Sequence, residues 1–161
     1  MTIEAIQYHT RHFSKRLSGS VIDSIIIHDT GGKTAEGTLK WFDNEISKVS
    51  SHYLIDKDGT LYECVPVEEK AWHAGTSTLF GKDNVNDFSI GIELVDDNDA
   101  DKYPKDQIAK LIDLCTELAL SHHISLNRIV GHEHIAPGRK VDPGKDFPWY
   151  EFLVTIGANL Y

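Results

Sequence analysis

The sequence predicts an α/β protein in which helices flank a central mixed β-sheet. Three observations indicate this fold class: short strand-like runs recur along the chain, two of them flank a hairpin turn, and two segments have the apolar periodicity of helices. The 161 residues are enough to bury a sizeable core. We therefore predict a single domain over residues 1–161, with an N-terminal arm over residues 1–20 and a core over about 21–155.

The first predicted strand delivers a histidine to its carboxyl end. Residues 21–27 form a short β-branched run, which predicts a buried strand, and His28 follows it just before Gly31 and Gly32. Ligands of open α/β sheets bind at this end of the strands. Considered alone, His28 fits a ligand-binding role and a hydrogen-bonded core position equally well.

Two amphipathic helices are predicted. In the first, Thr34 is the expected N-cap, and Leu39, Phe42 and Ile46 recur at helical spacing over about three turns. The second begins after Pro104, which suits the first turn of a helix. Its apolar stripe is the clearest of the chain and consists of Ile108, Leu111, Ile112, Cys115, Leu118 and Ala119.

A hairpin and a loop follow the first helix. Residues 51–56 and 60–65 are strand-like and flank an Asp-Gly pair, which is a strong hairpin signal. His52 lies in the first of these strands, where we expect a buried, hydrogen-bonded imidazole. Trp72 and His73 then stand between small residues, which predicts either a loop that binds sugar or peptide, or a loop that Trp72 packs in place.

Residues 88–95 predict a strand with two different faces. An acidic side chain in so apolar a strand is costly to bury unless it is paired or functional, and we interpret Glu93 as functional. Gly91 beside it allows another group to approach closely. Residues 96–101 predict a solvated acidic loop rather than a calcium site. The two faces of the strand carry Ile90, Ile92 and Leu94 on one side and Ser89, Gly91 and Glu93 on the other.

The densest group of reactive side chains lies in residues 130–144. Two Pro-Gly pairs force turns there. Together with His28, two of these side chains make a set of two imidazoles and one carboxylate, which is typical of a catalytic zinc site that keeps one position open. The nine histidines offer many such triples, so spacing alone leaves the ligand set open. The segment carries His132, His134, Arg139, Lys140 and Asp142.

Composition excludes several classes of partner. The net charge of −9 argues against nucleic-acid binding, which depends on neutralising phosphates. No apolar run approaches the roughly 20 residues that span a bilayer, so we expect no membrane insertion. The N-terminal residues lack the pattern of a signal peptide, which predicts a protein that is cytoplasmic as synthesised and reaches the cell wall only after release by a holin or lysis. Cys64 and Cys115 are expected to be buried free thiols, and the chain is expected to be a monomer.

Five motifs carry a resemblance to a known family. They are residues 25–28, 51–52, 71–75, 86–93 and 131–144, and they extend over nearly the whole chain. With these motifs the sequence resembles the zinc-dependent N-acetylmuramoyl-L-alanine amidases of the type 2 family, which are relatives of the peptidoglycan recognition proteins. Its details resemble the AmpD-like branch and some phage lysins.

The resemblance implies an activity and a cofactor. It implies hydrolysis of the bond between N-acetylmuramic acid and L-alanine in peptidoglycan or muropeptides. It places His28, His132 and Asp142 at the zinc-ligand positions. It also places Glu93 at the position of a general base and Lys140 at the position that stabilises the oxyanion. Zinc would lower the pKa of bound water toward about 7, and Glu93 would pass the proton to the departing amine.

The resemblance also has departures. Many relatives carry a catalytic tyrosine where this chain has Ser51, which adds weight to Glu93. His134 stands where relatives often carry an acid, and it is a possible alternative ligand, although the spacing favours His132. The residues expected to line the substrate groove are Trp72, His73, Asn86 and Arg139.

Other functions remain open at this point. A peptidoglycan-binding module without activity is one alternative, although such modules typically lose a zinc ligand and this chain has all three positions filled. A metallohydrolase of another substrate class is a second alternative. Within the amidase interpretation, the chain is either an enzyme of cytosolic muropeptide recycling or a phage or prophage endolysin.

Overall fold

A computed structural model describes residues 3–96 and 103–160 of the chain. The strands in these residues are β1 (Ile6–Gln7), β2 (Phe13–Lys15), β3 (Ser24–Asp29), β4 (Tyr53–Ile55), β5 (Leu61–Glu63), β6 (Glu69–Ala71), β7 (Thr78–Leu79), β8 (Lys82–Asp83), β9 (Ser89–Leu94) and β10 (Ile129–Gly131). The helices are α1 (Ala35–Asp43), α2 (Lys105–His122), α3 (His132–Ile135) and α4 (Trp149–Leu160).

Six strands form the central sheet, in the order β1-β5-β4-β9-β3-β10. Strand β9 pairs in parallel with β4 and with β3, and β3 pairs in parallel with β10. Strands β4 and β5 form an antiparallel hairpin. The turn of this hairpin contains Gly59 with a positive φ, as the Asp-Gly signal predicts. The sheet is therefore mixed and flanked by helices, which confirms the predicted fold class.

The two faces of β9 have different partners. Ile90, Ile92 and Leu94 are fully buried in the main core, which also contains the apolar stripe of α2 and side chains of α4. Burying each of these side chains contributes about 1.5–3 kcal/mol. Ser89, Gly91 and Glu93 point to the opposite face because side chains alternate along a strand. The same alternation places His28 on that face of β3, directly beside Glu93 in the register.

Helix α1 is shorter than its apolar pattern predicts. The Thr34 side chain accepts a hydrogen bond from the Gly37 backbone N–H at 3.1 Å, which confirms the predicted N-cap. The helix ends at Asp43, and Ile46 is 83% exposed, so its predicted place on the buried stripe is wrong. Asn44 explains the difference, because its side-chain oxygen accepts the Ile46 N–H in a local turn that competes with the helix.

Several other features complete the fold. Helix α4, which the aromatic C-terminal segment did not lead us to predict, buries Phe152 and Ile156. Cys64 and Cys115 are buried free thiols, as expected. Residues 97–101 of the predicted acidic loop lie outside the described residues, and Asp96 is buried. No helix within residues 3–96 and 103–160 combines the length and the apolar character needed to cross a membrane.

The N-terminal segment is built into the fold more closely than a surface arm implies. Strand β1 pairs with β5 at the edge of the sheet, and β2 pairs with β6. The half-buried Arg16 donates hydrogen bonds to four backbone carbonyls, at distances of 2.9–3.2 Å. These carbonyls belong to Val67, Asn86, Asp87 and Ser89.

Replacing Arg16 tests whether the N-terminal segment belongs to the fold. Arg16→Ala removes the donors of four carbonyls. Hydrogen bonds from a charged group are worth about 1.5–3 kcal/mol, and we apply the upper end of this range to the whole guanidinium, because at a half-buried position water replaces part of its donors. We expect a loss of about 3 kcal/mol in the free energy of unfolding, measured by urea titration. The exposed Arg11→Ala is the matched control, with an expected change within about 0.5 kcal/mol. Equal stability of the two variants would contradict this role.

Candidate active site

The candidate site lies where three parallel strands end at one edge of the sheet. His28 is near the end of β3, and Glu93 is its register partner on β9. His132 is the first residue of α3, directly after β10, which pairs with β3 through Gly131 and Ile27. The carboxyl ends of parallel strands therefore bring three predicted site residues together.

The turn-rich loop after α3 returns Asp142 to the same place. The Glu133 backbone N–H donates to the Asp142 carbonyl at 2.9 Å, which folds residue 142 back on the start of α3. His134 Nδ1 accepts the Gly131 N–H at 2.8 Å, so this histidine serves as a local cap and its ring is half-exposed away from the cluster. A Cβ on Gly131 would approach Pro143 Cδ to 2.7 Å, which requires glycine at this close contact.

His28, His132 and Asp142 form a cluster with the dimensions of a zinc site. The two Nδ1 atoms are 2.9 Å apart, and they lie 3.4 and 3.2 Å from Asp142 Oδ2. Zinc–nitrogen bonds of about 2.0–2.1 Å place neighbouring ligands of a tetrahedron about 3.3 Å apart. Among the described residues this is the group of histidine, cysteine and acidic side chains that fits one metal ion.

The chemistry of the donor atoms also fits a metal. His132 Nε2 lies 3.0 Å from the Ala74 carbonyl oxygen, which can only accept, so Nε2 carries the proton. In the neutral ring, Nδ1 then presents a lone pair to the cluster. Burial lowers the pKa of His28 to about 4, so this imidazole is neutral at pH 7. Two neutral imidazoles and a carboxylate are the ligands that a catalytic zinc ion takes in proteins.

Glu93 and Lys140 face the same cavity as the cluster. The cavity has a volume of about 350 Å³. Glu93 Oε2 is buried and has no hydrogen-bond partner among the described residues. Burial, and then the charges of Asp142 and Asp29, raise the pKa of Glu93 well above its usual range, while Lys140 lowers it. A metal cation beside Glu93 would oppose this rise, because an opposite charge favours the ionised carboxylate.

Aromatic and cationic side chains form the walls of the groove. Trp41, which lies off the apolar stripe of α1, is 52% exposed and lines the main cavity. Its position off that stripe was the available signal for a groove residue, and our sequence reasoning did not use it. A neighbouring cavity of about 180 Å³ is lined by Lys48, Arg139 and Lys140, so the groove is cationic on that side of the cluster.

The predicted groove residues have unequal access to the cavities. Trp72 lines both cavities and donates through Nε1 to Ser14 Oγ at 3.1 Å. Asn86 also lines the smaller cavity, but its Oδ1 accepts the backbone N–H groups of residues 73 and 74. Arg139 donates to the carbonyls of residues 74 and 76, at 2.7 and 2.6 Å. His73 lines both cavities but is only 8% exposed, and its Nδ1 lies 3.0 Å from His28 Nε2.

The floor of the site is formed by buried polar groups on β9 and on the two residues just before β4. Ser51 Oγ donates to the Gly91 carbonyl at 2.7 Å, and His52 Nδ1 accepts the Gly91 N–H at 2.9 Å. Burial and the charge of Arg16 lower the pKa of His52 to about 3. His52 is therefore neutral in the folded protein, as its expected core position requires.

The chain is similar to one family of known proteins. The family model described as N-acetylmuramoyl-L-alanine amidase matches residues 18–145. The chain is 42% identical over 114 residues to the 1,6-anhydro-N-acetylmuramyl-L-alanine amidase AmpD of Citrobacter freundii, with 70% of this chain and 60% of that relative covered. The chain thus spans about 60% of the length of this and similar curated relatives.

Solved structures of amidases have a similar fold. The crystal structure of a selenomethionine AmpD derivative matches with a TM-score of 0.80 and 30% identity, covering 96% of both chains. The amidase AmiD from E. coli matches with a TM-score of 0.76 and 32% identity, covering 89% of this chain and 61% of that chain. That structure is a complex with the substrate anhydro-N-acetylmuramic acid-L-Ala-D-γ-Glu-L-Lys.

The stability of the site floor is expected to depend on pH. The pKa of His52 rises from about 3 in the folded chain to about 6.5 on unfolding, so the unfolded state binds more protons and stability falls as pH decreases through this window. One such group contributes about 1.4 kcal/mol per pH unit. Urea titrations between about pH 7.5 and 4.5 should therefore show a shallower decline for His52→Gln than for the wild type. Parallel declines would contradict the buried neutral state.

Proposed function

The chain belongs to the N-acetylmuramoyl-L-alanine amidase family, and we propose that it hydrolyses the amide bond between N-acetylmuramic acid and L-alanine in soluble anhydro-muropeptides. One observation carries the proposal. A metal-sized cluster of two imidazoles and a carboxylate shares a cavity with an unpaired carboxyl group and an ammonium group. Amide hydrolysis requires an activated water, a proton carrier and a stabiliser of negative charge, and these groups match the three requirements.

Zinc is the cofactor that these residues would hold. His28 Nδ1, His132 Nδ1 and Asp142 Oδ2 would be its ligands, which leaves one position of a tetrahedron open. When bound, the ion would act as a Lewis acid that polarises the substrate carbonyl and lowers the pKa of water. The single carboxylate among the ligands keeps the site net cationic.

Glu93 and Lys140 would perform the proton and charge chemistry. The Glu93 carboxylate would accept the proton of the attacking water and donate it to the L-alanine nitrogen as the amide bond breaks. The Lys140 ammonium would stabilise the negative charge on the former carbonyl oxygen. Ser51 offers no substitute for a catalytic tyrosine, because its hydroxyl is buried and donates to the Gly91 carbonyl.

The charge of the groove supports one orientation of the substrate. The stem peptide of a muropeptide carries carboxylates, whereas its sugar is uncharged. Lys48, Arg139 and Lys140 line the smaller cavity and attract anions, so we place the peptide there. Trp41 offers an aromatic face at the other side of the main cavity, where we place the sugar.

The substrates named for two relatives favour a recycling role over an endolysin role. The AmpD relative is named for a 1,6-anhydro substrate, and the AmiD complex contains an anhydro-muropeptide. An endolysin would have to cleave intact sacculi. A binding module without activity is the second candidate function, and the intact set of three metal-binding side chains argues against it.

The proposal is tested with purified protein and two substrates. Zinc-loaded protein is expected to release free stem peptide from anhydro-muropeptides, detected by mass spectrometry, and much less from intact sacculi. A chelator should abolish release and added zinc should restore it. Asp142→Ala should lose most bound zinc, because one of three ligands is removed. Zinc-loaded protein that binds muropeptide without cleaving it would show the binding module to be correct.

Glu93→Gln separates proton transfer from metal binding. The amide has nearly the same size but accepts no proton, so kcat should fall by about 100-fold or more while zinc content stays unchanged. Metal analysis and the rate of peptide release measure the two properties. Glu151→Gln on the exposed face of α4 is the matched control and should leave kcat unchanged. A near-normal kcat of Glu93→Gln would remove this residue from the mechanism.

A further inference from the structure

A series of buried hydrogen bonds connects His28 to the backbone behind the site. His28 Nε2 lies 3.0 Å from His73 Nδ1, and His73 Nε2 lies 3.1 Å from Ser89 Oγ. Ser89 Oγ in turn lies 2.6 Å from the Val85 carbonyl oxygen. His28, His73 and Ser89 are all buried, so water does not compete for these contacts.

The Val85 carbonyl, at the end of this series of hydrogen bonds, determines which atom donates in each of them. The Val85 carbonyl can only accept, so the Ser89 hydroxyl donates to it and presents a lone pair to His73. His73 Nε2 therefore carries a proton, and in the neutral ring its Nδ1 is an acceptor. His28 Nε2 donates to that acceptor, which leaves His28 Nδ1 without a proton. This is the nitrogen that faces His132 and Asp142.

The backbone around His73 is shaped to hold this ring. A Cβ on Gly91 would overlap the His73 imidazole, so the glycine in β9 allows the ring to lie against the strand. Asn86 Oδ1 accepts the His73 backbone N–H at 3.1 Å and fixes the position of its Cα. Both ring nitrogens have partners inside the protein, which leaves neither of them for a substrate.

We propose that His73 and Ser89 are positioning residues that hold His28 in the tautomer and ring orientation needed to bind the metal. The inference rests on the proposed zinc centre. The two histidine ligands would be fixed in different ways: His132 bonds directly to the Ala74 carbonyl, whereas His28 reaches a carbonyl through His73 and Ser89. Outer groups that orient metal-binding histidines typically change metal affinity by about 10- to 100-fold when they are replaced.

Two substitutions at residue 73 separate this role from simple packing. In His73→Asn, the side-chain oxygen takes the place of Nδ1 and still accepts from His28, whereas His73→Leu has a similar size and no acceptor. The dissociation constant for zinc, measured by competition with a chromophoric chelator, should rise about 10- to 100-fold for the leucine variant. It should stay within about threefold of wild type for the asparagine variant. Equal affinities of the two variants would overturn the proposal.

A serine pair provides the matched control. Ser89→Ala removes the second link, and Ser51→Ala removes a different buried hydroxyl that bonds to the same strand. We expect weaker zinc binding for Ser89→Ala alone, although both variants lose similar stability. Nitrogen-15 NMR of the wild type should show His73 with its proton on Nε2; a proton on Nδ1 would overturn the proposal.

The outcomes for the inference and for the proposed function are distinct. Wild-type protein that binds zinc but cleaves no muropeptide would refute the amidase proposal, while the zinc affinities of the variants would still decide the role of His73. Wild-type protein that cleaves muropeptides, with zinc binding unchanged in His73→Leu, would refute only the positioning role. Wild-type protein with no affinity for zinc would refute both.

Discussion

The proposed metal site depends on bringing three polar atoms together, two imidazole nitrogens and one carboxylate oxygen. Two imidazole nitrogens 2.9 Å apart, each 3.2–3.4 Å from a carboxylate oxygen, repel one another unless a cation lies among them. No flexible segment would hold such an arrangement, because every local motion would relieve the repulsion. The protein imposes it with rigid elements: His28 is fixed by β3, His132 by the start of α3, and Asp142 by a loop bonded back to that helix.

The alternation of side chains along β9 lets one strand serve the core and the site together. Ile90, Ile92 and Leu94 pack against α2 and α4, which makes the strand immobile. The opposite face carries Ser89, Gly91 and Glu93 under the groove. Ser89 bonds to His73, Gly91 leaves space for the His73 ring, and Glu93 faces the cavity. A shift of one residue in the register would exchange the two faces, so the apolar core also fixes the active-site geometry.

Local patterns in the sequence predicted strands β3, β4, β5 and β9, the hairpin and the N-cap of α1, because each depends on a few neighbouring residues. They also placed His28 at the end of one strand and Glu93 on the polar face of another. Contacts between distant residues were not predictable in this way. The carbonyl partners of Arg16 lie 51–73 residues away, so the N-terminal segment resembled a surface arm. For His73, the sequence showed only an imidazole beside a tryptophan. The fold is needed to show that this ring bonds to His28 and Ser89.

The distribution of charge is compatible with the proposed binding of an acidic stem peptide by an acidic protein. The net charge of −9 opposes the approach of a carboxylate-bearing stem peptide at long range. At physiological ionic strength, charges more than about 8 Å apart are largely screened, so the remote acidic residues contribute little once the substrate enters the groove. Lys48, Arg139 and Lys140 are then the nearest charges to a ligand in the smaller cavity. In the proposed complex, the local cations, rather than the overall charge, would therefore orient the peptide beside the candidate metal-binding cluster.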